Sequence, residues 1–361
     1  MVAVGDLLVL GAVAFLGGAF GAAVGAYRAL AVSGVLVVVD AARETVLGGP
    51  SPALGTGQLL GLGPTFGPHV VLGGGAAAAA YAARKGYVET GFRFHEAKHV
   101  TRPLWQHFDA LAVGGVFGVV GFALARVSLA LSLPWDPLAA SIVVSAFLHR
   151  LLLGYPAIGD VRDGLFDMTP YERGEQRRSV VDDTPTRRPR VEPWLPGRYQ
   201  WPRVAAVGVL VGAVAGTIAL LTGRPLLAYG LAAAALLAFR FEGDGFPDLP
   251  FELDRERLPD LPVRVTGEQF FVVHHVAFVA GVLAIGLGGA GDSPGLLATL
   301  VAGAGIGLVT ALAAQIAARV CYAHADTHFD PPAAGILVGS FLVALLDVLG
   351  VVQQSVVPTP F

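Results

Sequence analysis

Charge is what this sequence has least of. Of 361 residues only 14% are Asp, Glu, Lys or Arg, against about a quarter in an ordinary soluble domain. Hydrophobic residues make up 54%, and the mean hydropathy is +0.65. No soluble core absorbs that much apolar sequence, so the bilayer is the natural solvent. Cysteine is nearly absent: Cys321 stands alone, which excludes an intramolecular disulfide and reads as packing more than as a redox centre. Lysine is scarce as well, with Lys85 and Lys98 the only two among 24 basic residues. The arginines are scattered through loops without interleaved aromatics, so a nucleic-acid partner is not expected. No phosphate-binding loop, dinucleotide glycine signature or serine nucleophile elbow occurs. Met1 to Asp6 carries no basic side chain ahead of the first apolar run, which predicts a retained first helix and not a cleaved leader.

What is present is a succession of apolar runs, several reaching the roughly 20 residues that cross a bilayer. They predict an all-α polytopic integral membrane protein with about ten spans. These are residues 5–26, 28–42, 60–84, 109–131, 137–156, 203–222, 225–241, 270–290, 296–321 and 332–352. The second and seventh are short enough to be tilted or re-entrant. A polar linker rich in Arg, Asp and Pro, 157–202, divides a first unit, 1–156, from a second, 203–361. The second unit carries its own Pro-punctuated polar loop over 242–268. Alternating the loops between sides puts 21 basic residues on one face and three, Arg43, Arg126 and Arg224, on the other. By the positive-inside rule the long loops are cytoplasmic and both termini extracytoplasmic, in a multi-pass protein of the plasma membrane.

An internal repeat underlies this division. The run WDPLAASIVVSAFLHRLL from Trp135 aligns without gaps on FDPPAAGILVGSFLVALL from Phe329, with ten of 18 positions identical at an offset of 194 residues. About two matches are expected by chance in such composition, and the shared Asp-Pro and Phe-Leu pairs go beyond low complexity. Two further landmarks fall in order. Gly17, Gly21 and Gly25 match Gly208, Gly212 and Gly216 as small-residue packing faces, and His69-Val70 matches His275-Val276. Five spans per unit is an odd number, so the second unit must enter from the opposite side, giving two inverted five-helix repeats. Such repeats resemble the architecture of secondary transporter and channel families, among them sodium-coupled amino-acid transporters and ammonium and urea channels. The likeness is one of topology, and no motif of those families occurs.

Ionisable groups inside a membrane are costly and mark candidate sites. His69 follows the helix-breaking stretch GLGPTFGPH, and broken backbone at membrane depth is tolerated where it lines protein or a cavity. His69 and His275 are then either a matched pair lining a transport path or ordinary hydrogen-bonded histidines beside a kink. Asp136 and Asp330 each precede a proline at the start of a span, where a carboxylate also suits a helix N-cap. Around Asp330 lie His324, Asp326, Thr327 and His328, a group able to hold a coupling proton or divalent ion, although no standard metal spacing is matched. Gln315 and Asp347 are further buried polar candidates.

His95-Glu96-Ala97-Lys98-His99 fits H-E-x-x-H, in which two histidines bind zinc and the glutamate activates water. Its place in a polar loop ahead of Pro103 favours coincidental spacing in a solvated segment, and zinc is the only cofactor suggested. The expected function is therefore a secondary transporter or channel for a small polar solute or ion, its path between the repeats. A membrane-embedded metal-dependent hydrolase or a non-catalytic scaffold are the alternatives. The glycine faces permit a homo-oligomer as readily as internal packing.

Overall fold

A computed structural model describes residues 4–47, 56–88, 97–159, 161, 164–167, 176–178, 185–187, 200–238, 272–288 and 295–353. These residues are overwhelmingly helical. The first group comprises α1 (Val4–Val24), α2 (Ala26–Leu47), α3 (Thr56–Leu62), α4 (Pro68–Arg84), α5 (Phe108–Ala130) and α6 (Pro137–Leu152). The second comprises α7 (Trp201–Thr222), α8 (Leu227–Ala234, continued as a 3-10 turn to Ala238), α9 (His274–Gly286), α10 (Leu296–Ala317, continued as a π-helical turn to Ala323) and α11 (Pro331–Val348). A three-residue antiparallel pair, β1 (Gln176–Arg178) with β2 (Pro185–Arg187), lies in the linker.

Five helical segments are long and apolar enough to cross a membrane: Gly5–Val24, Phe108–Ala130, Trp201–Thr222, Leu296–Ala323 and Pro331–Val348. The chain is thus a membrane protein by the length and composition of its helices. The other expected spans depart from simple crossings. The second is longer than expected, with α2 running 22 residues from Ala26 and carrying Arg28 and Asp40 within it. The third is broken between Leu62 and Pro68, because Gly63, Pro64, Gly67 and Pro68 cannot sustain one continuous helix. The eighth is cut to the 13 residues of α9, about 20 Å of helix and less than a bilayer core.

Helix packing within the two groups follows one pattern. In the first, α1, α4 and α5 pack mutually and α6 packs on α4 and α5; in the second, α7, α9 and α10 pack mutually and α11 packs on α9 and α10. Between the groups the principal helix contacts are α2 with α8 and α6 with α11. Both pairs run antiparallel. The N-terminal end of α6 meets the middle of α11 (Asp136 N–H donates to Ser340 Oγ, 2.8 Å), while the C-terminal end of α6 meets the approach to α11 (Arg150 Nε donates to Thr327 Oγ1, 2.8 Å). In α2 and α8, Gly34 lies against Ala233 and Ala234, and Val37 and Val38 lie against Gly230.

Glycine sets the closest approaches. A Cβ on Gly18 would stand 2.2 Å from the Gly114 carbonyl of α5, and one on Gly212 would stand 2.1 Å from the Gly303 carbonyl of α10. In a bilayer, where apolar burial does not drive helices together, such backbone contact supplies dispersion and fixes register. The glycines matched by sequence do not all share these roles. Gly17 and Gly21 abut the α3–α4 connection and α4, and Gly25 lies on no packing face. Its φ of +95° breaks the chain between α1 and α2 against the Thr101 carbonyl, which requires glycine.

Candidate functional site

Two helix starts dominate the centre of the molecule. Asp136 caps α6, its Oδ1 accepting from Ala139 N–H at 2.6 Å, and Asp330 caps α11, its Oδ2 accepting from Ala333 N–H at 2.9 Å. Each is followed by proline, whose fixed φ and missing donor suit the first helical position. N-capping is therefore realised at both, yet these caps are not at a wet surface: Asp136 is 2% exposed and Asp330 3%.

Both carboxylates line a central cavity of about 30 Å³, room for a water-sized occupant. Its walls come in pairs. Asp136 and Asp330, Ala139 and Ala333, and Ile142 and Ile336 stand 194 residues apart, while Pro68 and His274, and Leu72 and Phe278, stand 206 apart. Leu30 from α2, Leu62 from α3 and Tyr229 from α8 complete much of the lining. The N-terminal ends of α4, α6, α9 and α11 thus all reach one cavity and turn their partial positive charge toward it.

Beyond this cavity the two sides differ. On the Asp136 side lies a larger cavity of about 150 Å³, bounded by Leu133, Pro134, Trp135 and Pro137, by Phe278, Val279 and Val282 of α9, and by Ser340, Val343 and Ala344 of α11. Phe278 lines both cavities and stands between them. On the Asp330 side the positions related by 194 residues are filled by a buried polar cluster. Fully buried Arg150 donates to Thr327 Oγ1, to the Thr327 carbonyl (3.2 Å), to the Cys321 carbonyl (2.7 Å) and to the Ala157 carbonyl (2.5 Å). Its guanidinium also stands 5.6 Å from the centre of the Phe329 ring. His328 packs edge-on against Tyr27 and Tyr322, with Nε2 3.8 Å from Asp330 Oδ1. Burial pushes the His328 imidazole below its ordinary value, an effect that Asp330 partly opposes. Lys98 Nζ lies 4.5 Å over the Tyr322 ring.

The expected path residues therefore divide. Asp136 and Asp330 share the central cavity, and His328 touches Asp330. His275 and Gln315 line a separate cavity of about 30 Å³ between α7, α9 and α10, where Gln315 Nε2 has no hydrogen-bond partner among the described residues. His69 is fully buried at the second position of α4, as His275 is at the second position of α9, but neither lines the central cavity. One residue earlier, Pro68 and His274 do, because a single residue turns the side chain by about 100° round a helix.

Of the zinc-like motif, His95 and Glu96 lie outside the described residues. His99 is buried, as are Ala97, Lys98, Val100 and Thr101, contrary to the solvated segment expected there. Backbone groups hold this segment in place: Ala26 N–H donates to the Val100 carbonyl, and Arg28 Nη1 donates to the Thr101 carbonyl. Among the described residues no three His, Cys, Asp or Glu side chains come together as a metal site. The cluster expected around Asp330 is also divided, since His324 turns to the Leu165 carbonyl at 3.0 Å.

Sequence reasoning missed Tyr229, His274, Ser340 and Arg150. Arg150 carried a signal, an arginine inside an apolar span. Ser340 and Tyr229 carried none, being ordinary residues of helical runs.

No curated protein and no solved structure matches this chain. A family model does match, over residues 2–250 and 261–360, and the chain belongs to that family, a family of unknown function designated DUF7973.

Proposed function

We propose that this protein is a secondary transporter or channel for a small polar solute or ion, with the path running between two inverted five-helix repeats. The observation that carries this function is the central cavity lined by matched residues from both groups. A cavity on the axis relating two halves belongs equally to both, which suits a site that must be reached from either side of a membrane. Inversion is supported by the antiparallel contacts of α6 with α11 and of α2 with α8, helices that hold the same place in the two packing patterns. Ten crossings, counting the short and broken helices, accord with the one-sided distribution of basic residues. In this orientation the termini are outside and the Arg150 cluster lies toward the cytoplasm of a plasma-membrane protein. The Asp136 side is then the open mouth and the Arg150 side the closed one.

Flux in proteoliposomes tests the path. A panel of small ions and polar solutes is compared between the wild type and Ala139→Leu, which fills the central cavity, with Ala139→Ser as the volume-conserving comparison. Loss of a wild-type flux in Ala139→Leu with retention in Ala139→Ser is expected. Equal flux through all three places the path elsewhere.

A further inference from the structure

The two capping carboxylates are provided for unequally. Asp330 offers Oδ2 to Ala333 N–H, and its Oδ1, which makes no hydrogen bond among the described residues, has the His328 imidazole 3.8 Å away. Asp136 offers Oδ1 to Ala139 N–H, but its Oδ2 is buried and has no hydrogen-bond partner among the described residues. No lysine or arginine lines the central cavity beside it. The groups that share the cavity are Tyr229 from α8, His274 from α9 and Asp330 from α11, and Ser340 of α11 holds the Asp136 backbone N–H.

We propose that Asp136 binds one monovalent cation, a proton or an alkali ion, at the end of the central cavity next to the larger outer cavity. This inference rests on the central cavity being a transport path, and it names the coupling species. A carboxylate removed from water must be neutralised or fully hydrogen-bonded, because isolated charge is very costly in a low dielectric. The helix N-terminus, with the N–H groups of Ala139 and Leu138, supplies only part of that compensation. A proton on Oδ2 removes the charge, whereas an alkali ion balances it. The cavity of about 30 Å³ admits one small body. A divalent ion would call for more anionic oxygen than this side provides, since among the described residues no three His, Cys, Asp or Glu side chains lie close enough together to hold one metal ion. Access is short, because Trp135 and Pro137 on either side of Asp136 both line the outer cavity, as does Ser340.

The test uses the purified full chain in detergent. Its unfolding midpoint is measured against NaCl, with choline chloride holding ionic strength constant, and against pH; the infrared carbonyl band of a protonated carboxyl is recorded in parallel. Asp136→Asn keeps the N-cap, since asparagine caps as well as aspartate, and Asp330→Asn is the matched variant. A wild-type midpoint that rises with Na⁺, or a carboxyl band that titrates with pH, supports the site provided that Asp136→Asn abolishes it and Asp330→Asn retains it. The first result identifies an alkali ion and the second a proton. A wild type indifferent to both, or an Asp136→Asn variant that keeps the wild-type response, overturns the proposal. The transport path fails separately: a cation response without any flux leaves the Asp136 site standing and removes the path, while flux without a cation response removes the site alone.

Discussion

The two sides of the central cavity are built from positions related by one sequence offset, yet they are chemically unlike. On the Asp136 side the 194-residue relation gives Leu133, Pro134, Trp135, Ser340, Val343 and Ala344, which line a cavity of about 150 Å³. On the Asp330 side the same relation gives Thr327, His328, Phe329, Ala146, His149 and Arg150, all buried. Alanine and valine at one end have become arginine and histidine at the other. The two sides can therefore share a backbone frame while side chains decide which one is filled. The filled side is polar, held by hydrogen bonds from one guanidinium to three carbonyls and a hydroxyl. A planar fork with five donors meets that set of acceptors, and an ammonium cannot.

Breaking the Arg150 cluster has the largest expected effect. Arg150→Ala leaves several buried carbonyls without a donor and opens a void, so stability falls by about 3 kcal/mol or more, read as the unfolding midpoint in detergent. Arg150→Lys recovers less than half of that loss. Next, Ala344→Phe makes the open end resemble the closed one by filling the outer cavity. Flux is expected to fall at least tenfold, equivalent to about 1.4 kcal/mol of barrier, while the unfolding midpoint stays near that of the wild type. Ser340→Ala removes the acceptor of the Asp136 N–H and costs about 1 kcal/mol, measured by the same midpoint. The smallest effect concerns pH. Since burial lowers the His328 value in the folded state, the unfolded chain binds the extra proton first as pH falls below about 6.5. Stability is thus expected to rise with pH from the lowered folded value up to about 6.5, and His328→Gln to flatten that slope.

Much of the frame was legible in the sequence. Apolar run length located the long helices, Gly63 to Pro68 announced the break between α3 and α4, and the Asp-Pro pairs marked the starts of α6 and α11. The ends of α8 and α9 were not legible, because hydropathy does not register where a helix stops: Ala235–Ala238 after α8, and Val272, Val273 and Leu287 beside α9, are apolar yet lie outside the α-helices. The site was legible in part. Matching His69 with His275 named two helices that reach the central cavity, but the side chains lining it there are Pro68 and His274; periodicity fixes a face only when polar and apolar residues alternate, and α4 and α9 are apolar nearly all round. The folding inward of residues 97–101 was hidden for the opposite reason. A charged, histidine-bearing segment reads as solvated, and only tertiary contacts with Tyr322 and the start of α2 give Lys98 and Thr101 a buried place.

The most direct test of the central claim, a path open at one mouth and sealed at the other, is side-specific labelling in sealed, oriented vesicles. Cys321 is replaced by serine, and single cysteines are placed at Ser340 in the outer mouth and at Ala146, its counterpart in the inner mouth. A membrane-impermeant maleimide is expected to label Ser340→Cys from the extracytoplasmic side only, and to leave Ala146→Cys unlabelled from either side until Arg150 is also changed to alanine. Equal labelling of both positions from the start, or none at Ser340→Cys from either side, would contradict the account.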